Sequence, residues 1–177
     1  MTEPAERSTV PFFSSTTEPT ASRAEVFLHY LEYFRSQLAG KLTGLPVVAL
    51  RTSRLASGWT PIELLSHLIS VERRWLEWGF EGRDVGDPWA DQRDGRWYVP
   101  DEITLDELLA GLDAQAGRTA AIVGAHDLAD VGQPGERWSG NDPATLERVL
   151  FHLLQEYARH VGHLDIVSEL AGGPVGE

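Results

Sequence analysis

Apolar residues recur at a period near 3.6 in four stretches of the chain, and each stretch opens on a helix start signal. The first begins at Ser22, with Glu25 three residues on as the other half of a capping box. Val26, Phe27, Tyr30, Leu31, Phe34 and Leu38 mark its apolar face, and Gly40 and Gly44-Leu45-Pro46 supply the stop. The second opens at "TPIE": Thr60 caps, Pro61 takes the first helical position, and Glu63 completes the box. Its stripe is Leu64, Leu68, Val71 and Trp75, and it ends between Gly79 and Gly82. The third starts at Thr104 with Glu107 and carries Leu105, Leu108, Leu109, Leu112, Ala116, Ala120 and Val123. The fourth starts at Asp142-Pro143 and ends at Gly172-Gly173-Pro174. Its core stripe is Leu146, Val149, Leu150, Leu153, Tyr157, Val161, Leu164 and Val167.

No stretch reads as a convincing strand, and nothing repeats. Four amphipathic helices with two longish connections predict an all-α protein, a four-helix bundle. The first connection, "EGRDVGDPWADQRDGRWYVPDE", is long for a compact domain, which marks it as functional or as a lid. Its Trp89, Trp97 and Tyr98 either line a pocket or anchor the loop to the bundle. The second connection, "GQPGERWSGND", holds Trp138. Residues 1–21, rich in Pro, Ser, Thr and Glu, read as a flexible N-terminal arm. Within it, Pro11-Phe12-Phe13 is an apolar exception able to pack on the body or on a second subunit. Residues 22–172 form the bundle domain and 173–177 a C-terminal tail.

Composition narrows the function. Apolar residues make up 42% of the chain, enough to bury a core. The formal net charge of −12 repels phosphates, so neither nucleic acid nor an anionic membrane is an expected partner. The chain has no cysteine, which excludes disulfides, thiolate metal sites and a cysteine nucleophile. Any metal must be held by His, Asp or Glu, and any thiol chemistry must use a small-molecule thiol. No run of about 18 apolar residues is present to span a membrane. The N-terminus lacks an apolar signal core, so the expected location is cytoplasmic.

Candidate chemistry sits on the fourth helix. In "FHLLQEYARHVGHLDIVSEL", His152, Glu156, His160 and His163 share one face, offset by one residue from the core stripe. The polar stripe therefore borders the core. Side chains four apart on a helix stand roughly 6 Å apart, close enough for Glu156 and His160 to grip one ion. His67, on the inward face of the second helix, is the candidate third ligand. Two inward polar sites on different helices are costly unless paired. Three N/O ligands would leave a coordination position open, the catalytic pattern, and suit zinc, nickel or iron(II) without choosing among them. The alternative is a charged flank with buried histidines. His29 has no evident partner, and His126 sits where a helix dipole favours a cation.

"TPIELLSHLISVERRW" followed by "ERVLFHLLQEYARHVGHLDIVSEL" resembles the DinB-like superfamily, which includes mycothiol-dependent maleylpyruvate isomerase and thiol-dependent S-transferases, and in particular its actinobacterial branch. The resemblance covers about residues 22–172. It implies a four-helix bundle, often a homodimer, holding a divalent metal through His67, Glu156 and His160. Glu156 replaces the commoner histidine of the family's His-x-x-x-His pair. The implied function is S-transfer or isomerisation: the metal activates a low-molecular-weight thiol such as mycothiol for attack on an electrophile. Arg74, Arg73 and Arg96 are candidates to bind that thiol, Arg74 first. His163 is assigned a role beside the ligands or facing the substrate, and Asp165 one of orienting a histidine or arginine. Two other readings stay open: a hydrolase using metal-bound water, and a non-catalytic metal- or ligand-binding bundle related to stress.

Overall fold

The computed structural model describes residues 19–174, so most of the proposed arm, with Pro11-Phe12-Phe13, lies outside the described residues. Four long helices carry the chain: α1 (Arg23–Gly44), α3 (Pro61–Arg73), α4 (Leu105–Ala125) and α5 (Leu146–Leu170). A short α2 (Val47–Leu50) sits between the first two. The start signals act as expected. Ser22 accepts from the Glu25 amide, while the Glu25 carboxylate reaches back to the Ala21 N–H. Capping boxes close at Thr60–Glu63 and Thr104–Glu107.

The long helices pack as a bundle, α1 chiefly on α5 and α3 chiefly on α4. Leu31, Leu38, Leu64, Leu65, Leu68, Leu146, Leu150, Leu153 and Leu164 are fully enclosed in its core. Each such leucine contributes about 2–5 kcal/mol against alanine. Among the described residues no helix is long and apolar enough to cross a membrane.

Several boundaries and faces depart from the pattern. Helix α1 runs through Gly40 instead of stopping there, because packing outweighs the roughly 1 kcal/mol a lone glycine costs. Helix α5 begins at Leu146, capped by Thr145, and not at Asp142-Pro143. Residues before it are held extended: Val131 bridges Thr145, and the Gly132 N–H donates to the Ala144 carbonyl. The second helix turns π-helical over Arg74–Phe80, which leaves Trp75 half-buried at a cleft while Leu76 enters the core.

The expectation of no strand also fails locally. Gln92–Arg93 (β1) pairs antiparallel with Arg96–Trp97 (β2) around Asp94-Gly95. Both turn residues have positive φ, 52° and 72°, the conformation of a two-residue hairpin turn.

The inward faces of α1 and α4 are rotated from the apolar stripes. Arg35 and Lys41 are buried on α1, and Gln115 and Thr119 on α4, while Val26 and Ala120 face solvent. Four helices meet in one polar knot. Arg35 of α1 donates twice to Glu72 of α3, at 2.9 and 2.8 Å; Thr119 of α4 and Tyr157 of α5 add hydrogen bonds at 2.6 and 2.5 Å. Glu72 is fully enclosed, so this network satisfies a charge that would otherwise be very costly.

Candidate metal and substrate site

Helix α3 presents His67 and helix α5 presents Glu156 and His160 to one point. Their ligand atoms all lie within 4.8 Å of one another. Glu156 Oε2 is 3.1 Å from His160 Nε2. Ligands about 2.1 Å from a tetrahedral ion stand about 3.4 Å apart, so this spacing suits a single divalent cation. The donor set, two imidazoles and a carboxylate, suits it as well. The buried Nδ1 of His160 has no hydrogen-bond partner among the described residues.

Two of the three candidate ligands, His67 and Glu156, are held from behind. His67 Nδ1 lies 3.1 Å from Asp91 Oδ2, and an ionised Asp91 accepts a hydrogen bond from Nδ1–H and leaves Nε2 bare. Asp91 is 2% exposed and is fixed by Arg74, whose Nη1 and Nη2 donate at 2.6 and 3.3 Å. Its backbone carbonyl accepts from the Tyr98 N–H beside the hairpin. Trp97 of β2 stacks on His67, with ring centroids 4.1 Å apart. His152 Nε2 lies 3.3 Å from Glu156 Oε1, so both oxygens of Glu156 meet an imidazole.

Electrostatics favour the neutral imidazole of His67 and the ionised carboxylates of Asp91 and Glu156. Burial pushes the His67 pKa down, against the pull of Asp91, and its imidazole is neutral at neutral pH. Burial raises the Asp91 pKa, but hydrogen bonds from His67 and Arg74 outweigh it and hold the carboxyl below its ordinary value. Hydrogen bonds with His152 and then His160 hold Glu156 well below the usual carboxylate range.

The other sequence candidates fall differently. His163 is exposed on α5, its ring centroid 5.6 Å from that of His160 and outside the three-residue cluster. Arg74 is enclosed in the protein. It is 3% exposed, with Asp91 and the Pro88 carbonyl occupying its donors and Trp89 lying 4.5 Å from its guanidinium carbon. Arg73 donates to the Val85 carbonyl. Arg96 has no side-chain hydrogen bond or ion pair among the described residues, and lies in a groove it shares with Trp59, Glu63 and Trp97. Asp165 pairs with Lys41 at 2.6 Å and orients neither a histidine nor an arginine. His126 caps α4 beside Asp130, and His29 is exposed.

Sequence reasoning missed Asp91, because a loop has no period to mark an inward position. Its one signal was a carboxylate flanked by Trp89 and Trp97 in a long aromatic connection.

Fold and site together define a helical-bundle protein with a candidate three-ligand centre between two of its helices. The chain belongs to the mycothiol S-transferase family, whose model matches residues 26–173, and that family lies within the DinB-like superfamily. No curated protein matches it.

Proposed function

We propose that the protein is a metal-dependent S-transferase that joins mycothiol, or a thiol of the same class, to an electrophile. The observation that carries this reading is the convergence of His67, Glu156 and His160 in a chain that has no thiol of its own. A divalent ion held by these three residues, zinc by donor preference, would supply Lewis acidity and lower the pKa of a thiol sulfur toward neutrality.

The chain's own groups do the rest. Asp91 keeps His67 in the tautomer whose Nε2 carries no proton and would be free to hold a divalent ion. Trp97 closes one side of the His67 ring against water. The groove of Trp59, Glu63, Trp97 and Arg96 adjoins this wall and offers the hydroxyl-rich body of the thiol both a flat face and polar partners. His163 stands beside His160, with ring centroids 5.6 Å apart, and is the group proposed to accept the thiol proton. The thiolate then forms the carbon–sulfur bond, and the electrophile's leaving group departs with the bonding pair.

The test is S-conjugation. Zinc-loaded protein is incubated with monochlorobimane and, in turn, mycothiol, bacillithiol, glutathione and coenzyme A. The expected result is enzyme-dependent thioether with mycothiol, lost in His67→Ala. Equal rates in His67→Ala, or no thioether above background with any thiol, would refute the reading.

A further inference from the structure

A second cleft of about 430 Å³ lies between the π-helical turn, the Glu136–Trp138 turn and the start of α5. Trp75, Trp138 and His152 form its walls, and Arg137 and Arg148 give it positive charge. Several other arginines of this acidic chain are neutralised. Arg35, Arg74 and Arg118 are each paired with a carboxylate. Neither Arg137 nor Arg148 has a side-chain hydrogen bond or ion pair among the described residues, and the Nε of Arg137 is buried with no partner at all. The one carboxylate in the lining, Asp142, is exposed and pairs with neither.

The surroundings are shaped around Arg137. Its guanidinium carbon is 3.6 Å from the Trp75 ring centroid and 6.0 Å from that of Trp78. The π-helical turn carries both rings, and such turns are frequent at functional sites. Gly79 on the same turn leaves room for the arginine stem: a Cβ there would come within 3.2 Å of Arg137 Cγ. Burial and the neighbouring Arg74 charge both push the Arg137 pKa down, as befits a cation without a counter-ion. An anion would relieve both penalties.

We propose that this cleft binds a carboxylate carried on a flat apolar body, Arg137 and Arg148 taking the carboxylate and Trp75 and Trp138 the body. Arginine forks suit carboxylate oxygens, and tryptophan faces suit a planar group. The cleft adjoins the candidate metal site through a single side chain. His152 packs on Trp75 at 4.5 Å between ring centroids and touches Glu156 at 3.3 Å. That position makes it the seat of the electrophilic substrate. This last assignment rests on the thiol-transfer reading, whereas the anion site does not.

Calorimetric titration of the full chain, zinc-loaded, with 2-naphthoate, its uncharged amide and inorganic phosphate tests the proposal. Naphthoate is expected to bind one per chain, about tenfold or more tighter than the amide and tighter than phosphate. Arg137→Gln should weaken naphthoate by about tenfold or more, Arg137→Lys should recover part of the loss, and Arg148→Gln should weaken it less. Equal binding of acid and amide, or unchanged binding by Arg137→Gln, overturns the proposal. Phosphate binding as tight as naphthoate overturns the role of the flat body. If Arg137→Gln does not fold, the acid-to-amide ratio on the unaltered chain and the Arg148→Gln result decide. Zinc stoichiometry is measured in parallel. Zinc without naphthoate binding sinks the cleft alone, and naphthoate without zinc binding sinks the metal reading alone.

Discussion

Asp91 touches His67 on one side and Arg74 on the other, so replacing it with asparagine separates charge from shape. Asp91→Asn keeps the volume but no longer compels the Nδ1 proton onto His67. Zinc affinity should fall about 10–100-fold, read by competition with a chelator, while the fold persists. An unchanged affinity would show that His67 needs no orienting partner. His163→Ala should leave zinc affinity intact and lower the S-conjugation rate, with the pH dependence of that rate displaced. The residues behind these predictions were unequally visible in the sequence. Glu156 and His160 could be read because a helix gives a fixed angle per residue, and His67 because it shared a face with leucines. Asp91 and Arg137 sit on connections, where neighbours are set by loop geometry and not by spacing.

At the scale of the elements, the Glu72 knot decides which faces of α1 and α4 turn inward. The stripe of α5 was legible in full, since all eight of its apolar positions are buried. Those of α1 and α4 were not, because Arg35 and Thr119 lie off the apolar stripes and are buried where they meet Glu72 of another helix. A hydrophobic pattern has no way to mark a polar residue whose partner is on another helix. Glu72→Ala would strand the Arg35 guanidinium in the core and should cost about 3–5 kcal/mol in denaturant unfolding. The double variant Arg35→Met with Glu72→Leu should cost less than that single change. A double variant as unstable as Glu72→Ala would show that shape, not charge pairing, dominates the knot. Tyr157→Phe keeps the ion pair and should cost about 1.5–3 kcal/mol, the value of one hydrogen bond to a charged group.

For the molecule as a whole, the cluster of His67, Asp91 and Glu156 links stability to pH. In the metal-free protein, His67 is neutral in the fold but takes a proton once unfolded below about pH 6.5. The unfolded state then binds more protons, so stability falls as pH drops through that value. Asp91 and Glu156 have folded pKa values below their unfolded ones, so their contribution is present above about pH 4 and is lost as pH falls further. The melting temperature should therefore decline below about pH 6.5 and more steeply below about pH 4. Free zinc at about a hundred times its dissociation constant should add about 2.7 kcal/mol at neutral pH. The proposed function rests on one divalent ion per chain, held jointly by His67 on α3 and by Glu156 and His160 on α5. A zinc titration of metal-free protein by calorimetry, with each of these residues replaced singly by alanine, tests it. A stoichiometry of one is expected in the unaltered chain, with loss of that site in His67→Ala, Glu156→Ala and His160→Ala alike. No zinc binding in the unaltered chain, or full affinity retained in His67→Ala, would overturn it.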